Sequence, residues 1–349
     1  MKKIGVLILL ILILISCGKN IQKDNLRIEK VWDVTGMTPS NSSLCIDIYK
    51  NHIYYIEDLG EKFAVVKRNI DGEKISAFDV PKGKGPGEAM HTLGLKVNND
   101  RIYFTDFVLR RTTMFSLDGE YLDSFEFGSN TGVIISFDFL KDSMFFHSIN
   151  RAYIGRMEID TGEVVATKKH HLKKMIEPGD KIRGGVLALD KNSKNIYIGN
   201  ISKPYRIEKF NYDFEKVDEF KYKVGKDIEP TQVAPGPNIY GDQLVTSLCV
   251  SDNYVYAPEI GARMFITNNG GRYKKYNPNL LAFNKKNGEV EKIFTNKRLR
   301  DVEGSFNIVG VTDDYIVTFF ITRGHIVKEL LDKDPEKFVY MFVLLRRPS

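Results

Sequence analysis

One glycine-rich stretch of the sequence has the residue types that could cradle a phosphate. Residues 82–88 read Lys-Gly-Lys-Gly-Pro-Gly-Glu, and the backbone N–H groups of glycine-rich loops can bind anions. A phosphate-binding P-loop ends in Gly-Lys-Ser/Thr and opens a helix, whereas here Pro-Gly-Glu leads into a predicted strand. We therefore predict no phosphate site, but a tight crossing at a channel mouth. Its residues are Gly83, Gly85, Pro86, Gly87 and Glu88.

The remaining candidates for catalysis or metal binding are few. His170 and His171 are adjacent in a lysine-rich stretch, and adjacent side chains do not converge well on one metal ion. The patterns His-Glu-x-x-His, Gly-x-Ser-x-Gly and Cys-x-x-Cys do not occur in the sequence. The sequence therefore predicts no catalytic residue, no metal ligand and no cofactor.

Several basic and aromatic residues fall in the longer predicted loops and could bind a polar ligand. Guanidinium forks pair with anionic groups, and a rigid scaffold that presents long loops on one face is a common binding arrangement. A hydrated, mixed-charge rim is the competing interpretation. The candidate ligand-binding residues are Arg110, Arg111, Arg151, Tyr205, Arg206, Arg263 and Arg323.

A repeated pattern predicts the elements that must position these loops. It consists of an apolar strand, a turn with Asn or Asp, a second strand with an aromatic residue, a loop, a third strand and an Asp-Gly-type turn. The spacing of the copies is close to the roughly 40 to 50 residues of a four-stranded propeller blade. The aromatic residue of the second strand recurs at Tyr54, Tyr103, Phe145, Tyr197, Tyr256 and Tyr315.

Strand quartets that are apolar on both faces can be covered only by neighbouring quartets. We therefore predict an all-β fold, a six-bladed β-propeller of four-stranded antiparallel blades. The sixth copy lacks its last strand, and residues 26–32 alternate apolar and charged side chains. We predict that this N-terminal segment completes the last blade beside the strand at residues 339–345.

Two cysteines remain after Cys17, namely Cys45 and Cys249. An oxidising compartment would permit a disulfide. Both residues fall on first strands of predicted blades 1 and 5, which are not neighbours in a ring of six, so their Cα atoms should exceed the roughly 7 Å limit for bridging. We predict two buried free thiols.

The N-terminus has the features of an export signal. Lys2 and Lys3 precede an apolar run over residues 4–15, which is shorter than the about 20 residues that a membrane-spanning helix needs. The run ends in Leu-Ile-Ser-Cys, which resembles the bacterial lipobox and implies lipidation of Cys17. We predict a signal peptide over residues 1–16, a lipidated tether over 17–26 and the propeller over 27–349.

The lipobox, the repeat and the loop at residues 83–88 together resemble the six-bladed propeller lipoproteins of Bacteroidetes, which are similar to TolB-like and NHL-repeat propellers. This resemblance covers the mature chain and implies a fold and a lipid anchor rather than an activity. It favours a cell-envelope location, with lipid attachment to the outer membrane, facing the periplasm or the exterior.

The expected partners follow from this location. The formal charge of +6 falls to +4 when Lys2 and Lys3 are removed, which does not favour nucleic acid. We expect a monomeric, non-catalytic binding or scaffold module that serves a small polar or anionic ligand or an envelope protein.

An enzyme is the alternative function. Some six-bladed propellers are calcium-dependent lactonases or hydrolases, and their Ca²⁺ needs oxygen ligands at the inner ends of several strands. Only Glu88 and Glu303 lie close to the predicted strand starts, and two carboxylates are few for such a site.

Overall fold

The computed structural model of the protein describes residues 21–34, 44–106, 108–128, 131–149, 152–169, 185–233, 239–267 and 270–347. Cys17 and Arg151 lie outside these ranges, as do the predicted signal peptide and His170 and His171. No helix in the described ranges is both long and apolar enough to span a bilayer. Among the described residues, one seven-residue helix, α1 (His325–Leu331), accompanies the strands.

The described chain opens with β1 (Gln22–Asn25) and β2 (Arg27–Val34), and four antiparallel sheets of four strands follow. Blade 1 consists of β3 (Ile46–Tyr49), β4 (His52–Asp58), β5 (Lys62–Asn69) and β6 (Lys74–Pro81). Blade 2 consists of β7 (Thr92–Asn98), β8 (Arg101–Asp106), β9 (Arg111–Ser116) and β10 (Tyr121–Glu126). Blade 3 consists of β11 (Val133–Leu140), β12 (Ser143–Ile149), β13 (Ala152–Glu158) and β14 (Val164–Lys169). Blade 4 consists of β15 (Leu187–Asp190), β16 (Asn195–Gly199), β17 (Arg206–Asn211) and β18 (Lys216–Lys221).

The rest of the chain forms two larger sheets. Its strands are β19 (Gln232–Val233), β20 (Ile239–Gln243), β21 (Cys249–Val250), β22 (Tyr254–Pro258), β23 (Ala262–Thr267), β24 (Gly270–Tyr273), β25 (Lys275–Tyr276), β26 (Leu280–Asn284), β27 (Val290–Thr295), β28 (Val302–Val311), β29 (Tyr315–Arg323) and β30 (Val339–Arg346). Blade 5 contains β21, β22, β26 and β27, and β1 adds to its outer edge in parallel with β27. The last sheet has nine strands and is called the composite sheet below.

The prediction of six equivalent four-stranded blades is corrected by this arrangement. Five blades stand as separate sheets, whereas the sixth copy of the repeat, β28, β29, β30 and β2, lies inside the composite sheet. The reason is that two segments predicted as long loops, residues 221–243 and 258–279, contain strands of their own. Of these strands, β23 and β25 pair with the start of β28, so the sixth copy has no separate sheet.

The first strands of consecutive sheets contact one another in a closed order. β3 lies against β7, β7 against β11, β11 against β15, β15 against β21, β21 against β28, and β28 against β3. Side chains on both faces of the middle strands are buried, as in β8, where five successive residues are buried, because each sheet is covered by a neighbour on either side. This arrangement is a β-propeller with four-stranded antiparallel blades.

The predicted N-terminal closing strand is confirmed. β2 pairs antiparallel with β30 from Arg27 opposite Arg346 to Val34 opposite Tyr340. The Trp32 ring stacks on Phe342 with ring centroids 5.4 Å apart. Gly72, at a positive φ of 83°, turns directly against the Trp32 ring and leaves no room there for a Cβ. The closing strand is therefore packed against blade 1 as well as paired within its own sheet.

The folded domain begins before the predicted boundary at residue 27. β1 pairs with β27, and the Leu26 N–H donates to the carbonyl oxygen of Thr295 at 2.8 Å. Leu26 is 3 % exposed. Residues 22–26 are thus part of the folded domain, because they satisfy the outer edge of blade 5.

The two cysteines of the described chain are unbridged, as predicted. Cys45 is buried, whereas Cys249 is only partly buried, so the prediction of burial holds for the first and is wrong for the second. Cys249 begins β21, the short innermost strand of blade 5, in which both residues are only partly buried.

Candidate functional site

In the glycine-rich crossing at residues 82–89, the backbone binds the carboxylate of Glu88, which belongs to the same loop. The Gly85 N–H donates to Oε2 of Glu88 at 2.6 Å, and a Cβ on Gly83 would lie 2.0 Å from the same oxygen. The Gly83 N–H donates to the Ala89 carbonyl at 3.1 Å. Glu88 therefore occupies the position that an anion would take in a phosphate loop.

Arg111 holds that crossing in place. Its guanidinium group donates to the carbonyl oxygens of Lys84, Gly85 and Glu88 at 3.2, 2.9 and 2.7 Å. Two sets of residues that the sequence singled out separately thus form one structural unit, which fixes the connection between blades 1 and 2.

Arg110 lies next to it but bonds a different loop. Its side chain donates to the carbonyl oxygen of Gly128 at 2.7 Å and to Oγ1 of Thr131 at 3.2 Å. It also lies 5.9 Å from the centroid of the Phe127 ring. Arg110 therefore stabilises the loop between blades 2 and 3.

Arg263 and Arg323 are bound by carboxylates of the composite sheet. Arg263 donates to both oxygens of Asp242, at 2.8 and 3.1 Å, and its side chain is 15 % exposed. Arg323 donates to Glu303 through Nε at 3.0 Å and covers the Phe338 ring at 5.1 Å. Both guanidinium charges are balanced within the chain.

Tyr205 is a core residue, which corrects its assignment to a binding face. It is 1 % exposed, and its hydroxyl group donates to the Pro258 carbonyl oxygen at 2.8 Å. Burial raises its pKa well above the ordinary value. Arg206, on β17, is partly buried. The candidate rim residues do not form one cluster with free guanidinium groups, because the four arginines described above are engaged by their own loops and carboxylates.

A different polar cluster lies where the first strands of the sheets meet. The inner strand of each blade is an edge strand, and its outward N–H groups need acceptors. Side chains of the preceding blade supply them. These bonds run from Val97 N–H to Asp47 at 2.8 Å, Leu187 N–H to Ser136 at 2.9 Å, Leu189 N–H to Asp138 at 3.3 Å, and Ile308 N–H to Ser247 at 2.8 Å.

Asp47 and Asp138 are the charged acceptors in this set of bonds. Together with Lys96, which pairs with Asp47, we call them the axis cluster. Lys96 Nζ lies 3.3 Å from Oδ1 of Asp47. Burial alone would lower the pKa of the Lys96 ammonium group, but the carboxylates of Asp47 and Asp138 outweigh it and raise that pKa. Burial also raises the pKa of Asp47, although Lys96 pulls it down.

The axis cluster is deep yet reachable by water. The side chains of Lys96 and Asp47 are 22 % and 17 % exposed, although they come from the innermost strands of the ring. Burial raises the pKa of the Cys249 thiol to about 12, and the charges of Lys96, Asp47 and Asp138 also act on that pKa. Residues of blades 1, 2, 3 and 5 are thus close enough for their charges to act on one another.

Asp47, Lys96 and Asp138 do not lie at the starts of their strands, where the sequence prediction placed possible ligands. Asp47, Lys96 and Asp138 each stand two residues before the last residue of their strand that pairs across the first turn of the blade. Cys249 stands two residues before Ser251, whose N–H donates across the corresponding turn to the Tyr254 carbonyl oxygen. Alignment of the repeats on that turn, rather than on the strand start, would have placed the four residues in one layer.

The chemistry of the axis cluster is that of a polar binding site. An ammonium group that pairs with one carboxylate and is influenced by the charge of a second can bind a ligand that carries both an anionic group and N–H or O–H donors. Within the described ranges, no three His, Cys, Asp or Glu side chains are grouped so that they could hold a metal ion.

Known proteins are similar to this chain in structure rather than in sequence. Its sequence matches no protein-family model and no curated protein. An exported protein of Bacteroides fragilis, so described by its name, superimposes with a TM-score of 0.54 at 12 % identity, over 94 % of this chain and 99 % of that one. These values show a shared fold. They do not identify a family or an activity for this chain.

Two further solved structures resemble the chain. A member of the DUF4221 family from Bacteroides vulgatus superimposes with a TM-score of 0.56 at 11 % identity, over 93 % of this chain and 98 % of that one. A virginiamycin B lyase from Staphylococcus aureus reaches a TM-score of 0.46 at 11 % identity, over 91 % of this chain and 99 % of that one. The lyase supports no inference about this chain.

Proposed function

We propose that the protein is a non-catalytic binding module whose propeller axis takes a small polar ligand with an anionic group. The observation that carries the proposal is the ion pair of Lys96 with Asp47 at 3.3 Å, in which both side chains keep some exposure to water. The charge of Asp138 also acts on Lys96 and helps to raise its pKa. The ligand's anionic group would pair with Lys96, and its N–H or O–H groups would donate to the two carboxylates.

This proposal moves the binding site from the rim to the axis. At the rim, Arg110, Arg111, Arg263 and Arg323 already donate to carbonyl or carboxylate oxygens of the chain. A ligand there would have to displace those bonds and leave their acceptors unpaired, which costs about 1–3 kcal/mol for each buried group. The axis cluster, in contrast, has an ammonium group with one ion-pair partner within 4.0 Å among the described residues.

The ring of blades around the axis cluster is complete only if part of the composite sheet serves as a blade. We propose that β28, β29, β30 and β2 act as a sixth blade, which β19, β20 and β23 to β25 extend. The closed order of first-strand contacts, in which β28 touches both β21 and β3, supports this interpretation. Six sectors would then surround the axis cluster without a gap.

We propose a cell-envelope location with a lipid on Cys17, attached to the outer membrane after removal of residues 1–16. The support is the order of Lys2, Lys3, the apolar run and Leu-Ile-Ser-Cys in the sequence. A monomer without a nucleic-acid partner remains part of this proposal.

A second candidate function is docking of an envelope protein on the composite sheet. The observation that favours it is the set of extra strands β19, β20, β23, β24 and β25, which build a folded extension from two segments of the loop-rich face. Exposed Phe338, which precedes β30, contacts Tyr273 of this extension with ring centroids 5.7 Å apart and the ring planes tilted by 58°. Charged replacement of Phe338 should abolish co-purification of an envelope partner, and unchanged co-purification would reject this candidate.

Thermal unfolding in the presence of small ligands tests the axis proposal. We expect succinate, L-glutamate or glycine to raise the melting temperature of the wild type by several degrees, because a ligand stabilises the state that it binds. Lys96→Met should lose the shift. Lys285→Met is the matched control, since Lys285 also pairs with an aspartate of the preceding blade but lies outside the axis cluster. A shift retained in Lys96→Met, or no shift with any of these probes, would reject the proposal.

A further inference from the structure

The outer edge of blade 5 is where the folded domain begins. β1 is held by its parallel ladder with β27, from Gln22 opposite Lys292 to Asn25 opposite Thr295. The Asn296 side chain donates to the Leu26 carbonyl oxygen at 2.6 Å and fixes the end of this segment. The chain is therefore attached to the body of the propeller from Gln22 onward.

Only a short piece of chain separates this edge from the proposed lipid. Cys17 precedes Gln22 by five residues. An extended chain spans at most about 3.6 Å per residue, so Gln22 lies within roughly 18 Å of the lipidated residue. A tether of this length keeps the outer edge of blade 5 near the bilayer.

The charges on this side of the molecule suit an anionic lipid surface. Residues 21–27 and 290–301 contain six basic and three acidic side chains, which is a net charge of +3. Lys23, Lys297 and Arg300 are exposed, and no carboxylate of the described residues lies within 4.0 Å of them. Exposed Ile21 adds an apolar side chain next to the tether.

The outer edge of blade 2 has the opposite charge. Residues 118–126 contain four acidic side chains and no basic one. Blade 2 is three steps from blade 5 in the order of first-strand contacts, whichever way the ring is followed. The molecule is thus basic beside its tether and acidic on the far side, and this asymmetry favours one orientation on a negatively charged membrane.

We propose that the outer edge of blade 5, formed by β1, β27 and residues 296–300, is a membrane-facing surface that rests on anionic lipid headgroups. This inference relies on the proposed lipid at Cys17 but not on ligand binding at the axis. The opposite edge at blade 2 then points away from the bilayer.

Lipid-borne quenchers test the orientation in the full-length lipidated protein. Asn25→Cys on β1 and Leu122→Cys on β10 are matched label sites, because both are exposed on outermost strands and neither changes the charge. In vesicles of phosphatidylcholine and phosphatidylglycerol, we expect a label at residue 25 to be quenched severalfold more than one at residue 122. Equal quenching, or stronger quenching at residue 122, would overturn the proposal.

A charge variant separates headgroup contact from tether length. Lys297→Glu combined with Arg300→Glu should reduce the quenching difference in anionic vesicles and leave it unchanged in neutral ones. An unchanged difference in anionic vesicles would overturn the role of the headgroups. Absence of acyl label from the wild type, relative to Cys17→Ala, would overturn the anchor and with it this surface, whereas the thermal test of Lys96 would be unaffected.

Discussion

Two lysine–aspartate pairs join neighbouring blades, and they differ in their surroundings. Lys96 and Asp47 join blades 2 and 1 in the axis cluster, with side chains 22 % and 17 % exposed. Lys285 and Asp190 join blades 5 and 4, with side chains 9 % and 3 % exposed and Nζ 2.5 Å from Oδ2. The second pair is also tied to the backbone, since Lys285 Nζ donates to the Ser251 carbonyl oxygen at 2.9 Å and Asp190 accepts the Ser193 N–H at 3.1 Å.

The pKa values of the two aspartates are shifted in opposite directions. Burial acts to raise the pKa of Asp190, but the bonds from Lys285 and Ser193 outweigh it and lower that pKa. Burial raises the pKa of Asp47 despite Lys96. The charge on Asp190 is therefore well supported in the folded state, whereas the charge on Asp47 is not. A pair that is incompletely satisfied and open to water is suited to exchange a partner for a ligand, and a closed pair is suited to hold blades together.

The largest expected effect is on stability when the closed pair is broken. Lys285→Met leaves the Asp190 charge buried, and loss of one partner of a buried pair costs about 3–5 kcal/mol. Lys96→Met should cost less, about 1.5–3 kcal/mol, the usual value for a hydrogen bond to a charged group. Urea unfolding of both variants measures the difference. Equal losses of unfolding free energy would break the distinction between the two pairs.

The pH dependence of stability should also distinguish the pairs. The folded-state pKa of Asp190 is below its ordinary 3.8, so its contribution is present above pH 3.8 and is lost as the pH falls through the lower value. The loss caused by Asp190→Asn should therefore be largest at neutral pH and shrink in acid.

The pH dependence of the Asp47 contribution to stability has the opposite sign. Its folded-state pKa is above 3.8, so ionisation of Asp47 destabilises the folded state. Asp47→Asn should become more favourable, relative to the wild type, as the pH rises from 3.8 through the raised pKa. Unfolding free energies measured from pH 3 to 8 provide both curves. Parallel curves for the two variants would contradict the opposite pKa shifts of Asp190 and Asp47.

The smallest expected effect is on thiol reactivity at the axis. Burial raises the pKa of both Cys45 and Cys249 to about 12, so both should react slowly with iodoacetamide at pH 8. Cys249 should react faster, because it is partly exposed and Lys96 favours its thiolate, whereas Cys45 is 1 % exposed. Lys96→Met should slow Cys249 and leave Cys45 unchanged. Mass spectrometry of the labelled peptides measures this, and faster labelling of Cys45 would mean that the axis is not open.

Much of the fold could be predicted from sequence because its determinants are local. Turn pairs such as Asp118-Gly119 and the aromatic residues of the second strands mark each blade, and residues 26–32 carry the alternation of a strand. β1 could not be predicted in the same way, because Gln22 to Asn25 are polar and become a strand only when the outer edge of β27 offers N–H and C=O partners.

The site was harder to predict because its residues are far apart in the chain. Asp47, Lys96 and Asp138 come from three blades, and each resembles an ordinary charged residue within its strand. The rim arginines were named from residue type alone, but their availability depends on partners such as Asp242 and Glu303 that only the fold brings near. Tyr205 shows the same limit, since its hydroxyl group is directed at the Pro258 carbonyl oxygen inside the core.

A crystal structure of the protein grown with the probe that raises its melting temperature most would test the central claim directly. The proposed binding of an anionic group by Lys96 predicts ligand density within hydrogen-bond distance of Lys96 Nζ and of the Asp138 or Asp47 carboxylate. Density instead at Arg110, Arg111, Arg263 or Arg323, with the axis holding only water, would contradict it.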